Sequence, residues 1–178
     1  MDLFILIVII PAVLFLLICF SPTTLEAAIK TSPFAATPKW IIRKALKAAR
    51  LKPGEKLYDL GSGDGRALII AEKEFKALAV GLEYSRPLFI FSKVNLFLHR
   101  IRNAIVLRKD FFKADLSKAD VIFAFLTPRA FVKLEPKFKK ELKPRTRVVT
   151  FSSQLPHWKP KRIIDLAKRE TKLYLYKN

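Results

Sequence analysis

With a single cysteine, Cys19, in 178 residues, the chain can close no internal disulfide and cannot build a cysteine-rich metal site. Acids are scarce as well: 15 Asp and Glu against 34 Lys and Arg leave a formal charge of +19. No Gly-Lys-Ser or Gly-Lys-Thr occurs, which excludes a phosphate-cradling P-loop. The length suits one domain of ordinary size, and 15 Phe indicate a substantial apolar core or an apolar partner.

Charge is missing altogether from Leu3 to Phe20. A helix of that length spans about 27 Å, close to the ~30 Å hydrocarbon core of a bilayer, and Pro11 is tolerable there. A cleaved signal normally starts with basic residues, whereas the only charge before this run is Asp2. Ile18 stands before Cys19 where a lipoprotein signal needs a small residue. The expectation is one transmembrane anchor over residues 1–20, with a buried core helix as the alternative. Lys39, Arg43, Lys44, Lys47 and Arg50 then hold the C-terminal bulk on the cytoplasmic side. Residues 21–36, rich in Ser, Thr, Pro and Ala, read as a linker, and residues 37–178 as the domain.

Within the domain one stretch stands out. Leu57-Tyr58-Asp59-Leu60 is an apolar run short enough for a buried strand, Gly61-Ser62-Gly63-Asp64-Gly65 is a glycine loop, and Arg66 opens a helix running to about Phe75. Such a loop lets backbone approach a ligand closely, with helix N-terminal amides facing it. The spacing is not the G-x-G-x-x-G of dinucleotide folds, and Asp59 and Asp64 suit a ligand with a cationic end rather than a polyanion. The pattern resembles motif I of the class I S-adenosyl-L-methionine-dependent methyltransferases.

Around this loop the chain alternates. Thr37-Pro38 reads as N-cap and first residue of a helix carrying Trp40, Ile41, Ile42, Ala45, Leu46 and Ala49. A second strand runs from Ala77 to Leu82 and ends at Glu83, about twenty residues past the loop, where ribose hydroxyls are held. Pro87 begins a helix; Ala104–Leu107, Asp120–Leu126 and Arg147–Phe151 read as strands. A helical pair is expected around Pro136, and Lys161–Leu166 with Thr171–Tyr176 as a closing hairpin. The expected fold is therefore α/β: a doubly wound, Rossmann-like sheet, mostly parallel with an antiparallel C-terminal hairpin, preceded by one transmembrane helix.

The phrases Pro33-Phe34-Ala35-Ala36-Thr37-Pro38, Asp59 to Arg66, and Arg147-Val148-Val149 followed by Leu155-Pro156-His157-Trp158-Lys159-Pro160 narrow the resemblance. They are similar to the membrane-anchored lysine methyltransferases acting on the c-ring protein of mitochondrial ATP synthase and on the adenine nucleotide translocase, with their prokaryotic relatives. The likeness runs from Pro33 to Pro160, and the chain's shortness implies a reduced sheet edge. It implies S-adenosyl-L-methionine as cofactor, held by Asp59, Gly61, Ser62, Gly63, Gly65 and Glu83. Asp110 would accept from the adenine amino group and Phe111 would cover the ring. No metal is implied.

Thr127 and Trp158 are the candidates for lining the acceptor site, where lysine chemistry asks for a positioned sulfonium and a neutral amine. With a lysine pKa of ~10.4, fewer than about one amine in a thousand is neutral at pH 7, and an apolar entrance raises that fraction by desolvation. The fourth strand ends Phe125-Leu126-Thr127-Pro128, without the Asn/Asp-Pro-Pro-Tyr/Phe of enzymes methylating adenine or glutamine. Cytosine C5 methylation needs a cysteine nucleophile, and Cys19 lies in the hydrophobic segment. His157 reads as an ordinary loop residue rather than a general base, and His99 has no evident partner.

The expected acceptor is a membrane protein, and the basic surplus is read as attraction to an anionic lipid surface. RNA or a small molecule as acceptor, or a non-catalytic adenosylmethionine-binding module, are the alternatives; no nucleic-acid module or basic arm is recognisable.

Overall fold

The computed structural model describes residues 35–166 and 171–178, with the isolated position 13. Apart from that position, the expected anchor over 1–20 lies outside them, as does most of the linker over 21–36. Among the described residues no helix is long and apolar enough to cross a membrane.

The elements in chain order are α1 (Lys39–Ala48), β1 (Lys56–Leu60), α2 (Arg66–Phe75), β2 (Leu78–Glu83), α3 (Arg86–Leu98) and β3 (Ala104–Arg108). Then follow β4 (Val121–Ala124), α4 (Pro128–Glu141), β5 (Arg147–Phe151), β6 (Arg162–Asp165) and β7 (Lys172–Lys177). All seven strands form one sheet in the order β3-β2-β1-β4-β5-β7-β6. The first five are parallel to their neighbours; β7 runs antiparallel to β5 and β6 antiparallel to β7. Buried on both faces, the central strands carry near-continuous apolar runs, as parallel strands must.

Each face has its own core. On one, Ile42, Leu46 and Leu68 from α1 and α2 pack with Leu57, Val121 and Val149; on the other, Phe131, Leu134 and Phe138 of α4 pack with Leu60, Ile122 and Val148.

Three expectations require correction. No reduced sheet edge is seen: seven strands pair, with β3 and β6 at the edges, and it is two of the connections that are plain. Residues 109–120 between β3 and β4 and 152–161 between β5 and β6 contain no helix. The pair of helices expected around Pro136 is one helix, α4. Pro136 removes only one backbone donor, on a turn whose Val132 is solvent-exposed, while burial of Phe131, Leu134 and Phe138 continues across it. And α1 starts at Lys39 with Pro38 at its N-cap and no side-chain cap. Thr37 is instead buried, and its carbonyl accepts from Arg66 Nη1 at 3.1 Å.

Two glycines at positive φ separate backbone strain from crowding. Gly54 (φ 76°) has nothing near the position a Cβ would take, whereas a Cβ on Gly65 (φ 79°), at the N-cap of α2, would collide with Ser92 Oγ of α3. Gly54→Ala should cost about 1–2 kcal/mol from left-handed backbone alone. Gly65→Ala should cost more, and adding Ser92→Ala should recover the excess; denaturant unfolding of the ligand-free chain measures all three.

Candidate active site

Strand β1 delivers Asp59 and Leu60 to the sheet's C-terminal edge, where the chain turns through Gly61 (φ 77°), Gly63 (φ 55°) and Gly65 into α2. The loop is fastened to the neighbouring strand. Gly61 N–H and Ser62 N–H both donate to Leu82 O, at 2.9 and 3.2 Å. Close approach is possible because β2 carries Gly81 beside Asp59: a Cβ there would lie 2.6 Å from Ser62 Oγ.

Glu83, at the end of β2, completes the fastening. Gly63 N–H donates to Glu83 Oε2 and Ser85 N–H to Glu83 Oε1, each at 2.8 Å. Each carboxylate oxygen retains acceptor capacity beyond these bonds, which ribose hydroxyls can use. A cleft opens over this edge, lined by Asp59, Gly61, Ser62, Gly63 and Glu83, by Tyr84, Leu88 and Phe111, and by Phe125 and Leu126 after β4. Ala35, Ala36 and Thr37 form part of the same lining.

Of the sequence-derived cofactor residues, Asp59, Gly61, Ser62, Gly63, Glu83 and Phe111 are thus brought together. Gly65 stands behind the wall as the N-cap of α2. Asp110 is not part of the lining; its Oδ1 accepts from Phe112 N–H at 2.8 Å and shapes the turn that buries Phe111. Thr127 is the N-cap of α4, its hydroxyl accepting from Ala130 N–H, and is not in the lining either. Trp158 packs on Tyr176 with ring centroids 5.6 Å apart and is not among the cleft-lining residues. His157 is exposed, its backbone N–H donating to Glu135 Oε2 at 2.8 Å, and His99 Nδ1 lies 2.9 Å from Asn95 O, a partner the sequence does not suggest.

Asp64 needs a correction. Its carboxylate is engaged by Arg66, whose Nη2 lies 2.6 Å from Oδ2 and whose Nε reaches both oxygens at 2.9 Å. Arg66 also holds Thr37 O, so this pair ties the loop to the segment before α1, and both residues belong to the cleft lining. Sequence reasoning misses Ala35 to Thr37, Tyr84 and Phe125 as lining. Their only signals are the Pro-Phe-Ala-Ala-Thr-Pro phrase, which reads as divided between linker and helix cap, and adjacency to Glu83 and to the end of β4.

The electrostatics identify the kind of ligand. Burial, reinforced by the nearby charges of Glu83 and Asp64, pushes Asp59 up to about 8. Burial also raises Glu83, against the opposing pull of the Ser85, Gly63 and Tyr84 amides. Among the described residues no ion pair reaches either acid, and no cluster of His, Cys, Asp or Glu is placed to hold a metal ion. Two buried carboxylates without a cation fit a ligand that brings one. S-adenosylmethionine carries an ammonium and a sulfonium on an adenosine, and the aromatic wall at Phe111 and the acceptor at Glu83 suit the rest of it.

With this strand order, such a cleft is that of a class I S-adenosylmethionine-dependent methyltransferase. The chain belongs, more narrowly, to the family described as the ANTKMT methyltransferase domain, whose model matches residues 59–162. A protein-lysine N-methyltransferase of Saccharolobus islandicus is 35% identical over 136 residues, covering 75% of this chain and 84% of that one. The human lysine N-methyltransferase named for the C-subunit of ATP synthase is 31% identical over 72% of this chain and 54% of its own length. For the mouse adenine nucleotide translocase lysine N-methyltransferase the values are 29%, 74% and 58%, so the chain spans little more than half of these two relatives.

Among solved structures, an RNA methyltransferase from Salinibacter ruber, in complex with S-adenosyl-L-homocysteine, superposes with a TM-score of 0.78. It is 32% identical, over 80% of this chain and 93% of its own. The chain is therefore an S-adenosylmethionine-dependent methyltransferase.

The raised Asp59 has a measurable consequence. An unfolded Asp titrates near 4, so between about pH 4 and pH 8 the ligand-free fold holds a proton that the unfolded chain has lost. Stability contributed by this group is full below pH 4 and falls as pH rises through that window. Asp59→Asn should flatten the decline. Cofactor binding at pH 7 should release about one proton in the natural chain and none in the variant, read by calorimetry in buffers of different ionisation enthalpy.

Proposed function

We propose that the chain is a protein-lysine N-methyltransferase whose acceptor is a lysine of a membrane protein near the cytoplasmic face. In this reading residues 1–20 anchor it to the bilayer by a single pass. The observation that carries the acceptor chemistry is the composition of the cleft. Beside its carboxylates it presents Ala35, Ala36, Phe125 and Leu126, an apolar surface that would desolvate an incoming ammonium and favour its neutral form. Phe125 is braced by Phe151, with ring centroids 4.6 Å apart, so that surface is held by the sheet rather than by a loop.

When bound, the cofactor supplies an electrophilic methyl group on sulfur. The chain's own residues do the rest. Asp59 and Glu83 hold the cationic and ribose portions, the loop amides fix their position, and Phe125 and Leu126 exclude water from the amine's approach. The relatives named for lysine methylation, two of them for an ATP synthase component and the adenine nucleotide translocase, support the same reading.

A second reading, an RNA acceptor, is favoured by one observation, the similarity to the Salinibacter RNA methyltransferase. Incubating the purified chain with labelled cofactor and, separately, membranes and total RNA from the same cells decides between them. Label on a lysine of a membrane protein, located by mass spectrometry, is the expected result; label on RNA alone would sink the lysine proposal. Phe125→Ala should lower kcat/KM for transfer by about tenfold or more, equivalent to about 1.4 kcal/mol, while cofactor affinity changes little. Equal losses in both would place Phe125 with the cofactor instead of the acceptor.

A further inference from the structure

Helix α3 buries one side against the sheet, through Leu88, Ser92 and Leu96, and leaves its other side apolar as well. Ile90, Phe91, Val94, Phe97 and Leu98 are all exposed, Phe97 by 80% and Leu98 by 70%. At 3.6 residues per turn these five fall within an arc of about 120°, one continuous stripe along a helix about 20 Å long. Large exposed apolar patches on a soluble domain mark an interaction surface.

The charge around the stripe indicates its partner. From Arg86 to Lys109 there is no acid, but there are six bases: Arg86, Lys93, Arg100, Arg102, Arg108 and Lys109. On the helix, Arg86 and Lys93 flank one side of the stripe, while Arg100 and Arg102 follow its C-terminal end. An apolar face with a basic rim is the pattern of helices that lie in the interface of an anionic membrane. A second copy of the chain would bring two basic rims together and is disfavoured by the same charges.

Connectivity points the same way. Ala35, where the described chain begins, and Leu88 of α3 line the same cleft. The preceding residues 21–34 could span at most about 50 Å even if fully extended.

We propose that the Ile90–Leu98 face of α3 docks on an anionic lipid surface, setting the cofactor cleft beside the leaflet. This deepens the reading that the chain works at a membrane and rests on residues 1–20 being its anchor. Lying along the bilayer, α3 would carry Leu88 and the cleft mouth toward lysines that emerge at the membrane surface, which narrows the acceptors the enzyme can reach.

The test uses the full chain reconstituted in vesicles of phosphatidylcholine and phosphatidylglycerol carrying doxyl-labelled lipids. A fluorophore on the natural Cys19 reports the anchor. In a Cys19→Ser background, Phe97→Cys and Val94→Cys report α3, and Val132→Cys on α4 serves as the exposed reference. Labels at 94 and 97 should be quenched several-fold more than the label at 132, and the excess should fall in vesicles of phosphatidylcholine alone. Equal quenching at 97 and 132, with Cys19 quenched, overturns the docking face while leaving the anchor intact. A label at 97 that is shielded equally in lipid-free detergent overturns it too, because residues 1–34 or a second copy would then cover the stripe. None of these readouts depends on methyl transfer, so the acceptor proposal stands or falls separately.

Discussion

The site depends on one buried carboxylate that joins two strands' worth of backbone. Glu83 accepts from Gly63 on one oxygen and from Ser85 on the other, and so locks the glycine loop to the end of β2. Burying an acid is unfavourable unless such donors meet it. Here the donors are main-chain amides of the glycine loop and of the turn after β2, so the cost of burial is offset by groups that also line the cleft. Among the described residues, no comparable donor meets Asp59 beside this clamp. Burial and the neighbouring Glu83 and Asp64 raise its pKa, and among the described residues no ion pair relieves it, the kind of perturbation that marks a functional site.

Arg66 extends this order outward. Its bidentate pairing with Asp64 and its bond to Thr37 O bring the segment before α1 over the cleft, so Ala35 and Ala36 become walls rather than linker. A partly buried guanidinium suits this role because its planar fork satisfies a carboxylate and a carbonyl from one side chain.

Two connections of the seven-stranded sheet, residues 109–120 and 152–161, carry no helix. The connection after β3 does its work with a turn: Asp110 caps Phe112 N–H and thereby seats Phe111 in the core beneath the cleft. The connection after β5 relies on side-chain to backbone bonds. Tyr176 Oη accepts from Leu155 N–H at 2.9 Å and Glu135 from His157 N–H, with Trp158 tilted against the Tyr176 ring. Trp158 packs against the core that holds this loop, while Phe125 and Leu126 line the cleft.

Much of this was written locally. Helix α2 and strand β5 were legible to the residue, because a glycine loop before Arg66 and a short apolar run leave little alternative. Asp59, the three glycines and Glu83 declared a binding crevice, since strand-end acids and glycines have few other uses at that spacing. The order of the strands, the single helix through Pro136 and the seven-stranded sheet were not local facts; they follow from which apolar faces find each other across the sheet. The bond between Arg66 and Thr37 O could not be assigned from spacing because the two lie 29 residues apart and meet only when α1 packs on α2. Sequence alone determined the chemistry of the cofactor loop, because that chemistry is carried by adjacent residues. Only the tertiary structure decided what else lines the cleft, because Ala35, Tyr84 and Phe125 come from segments that the fold, not the chain, makes neighbours.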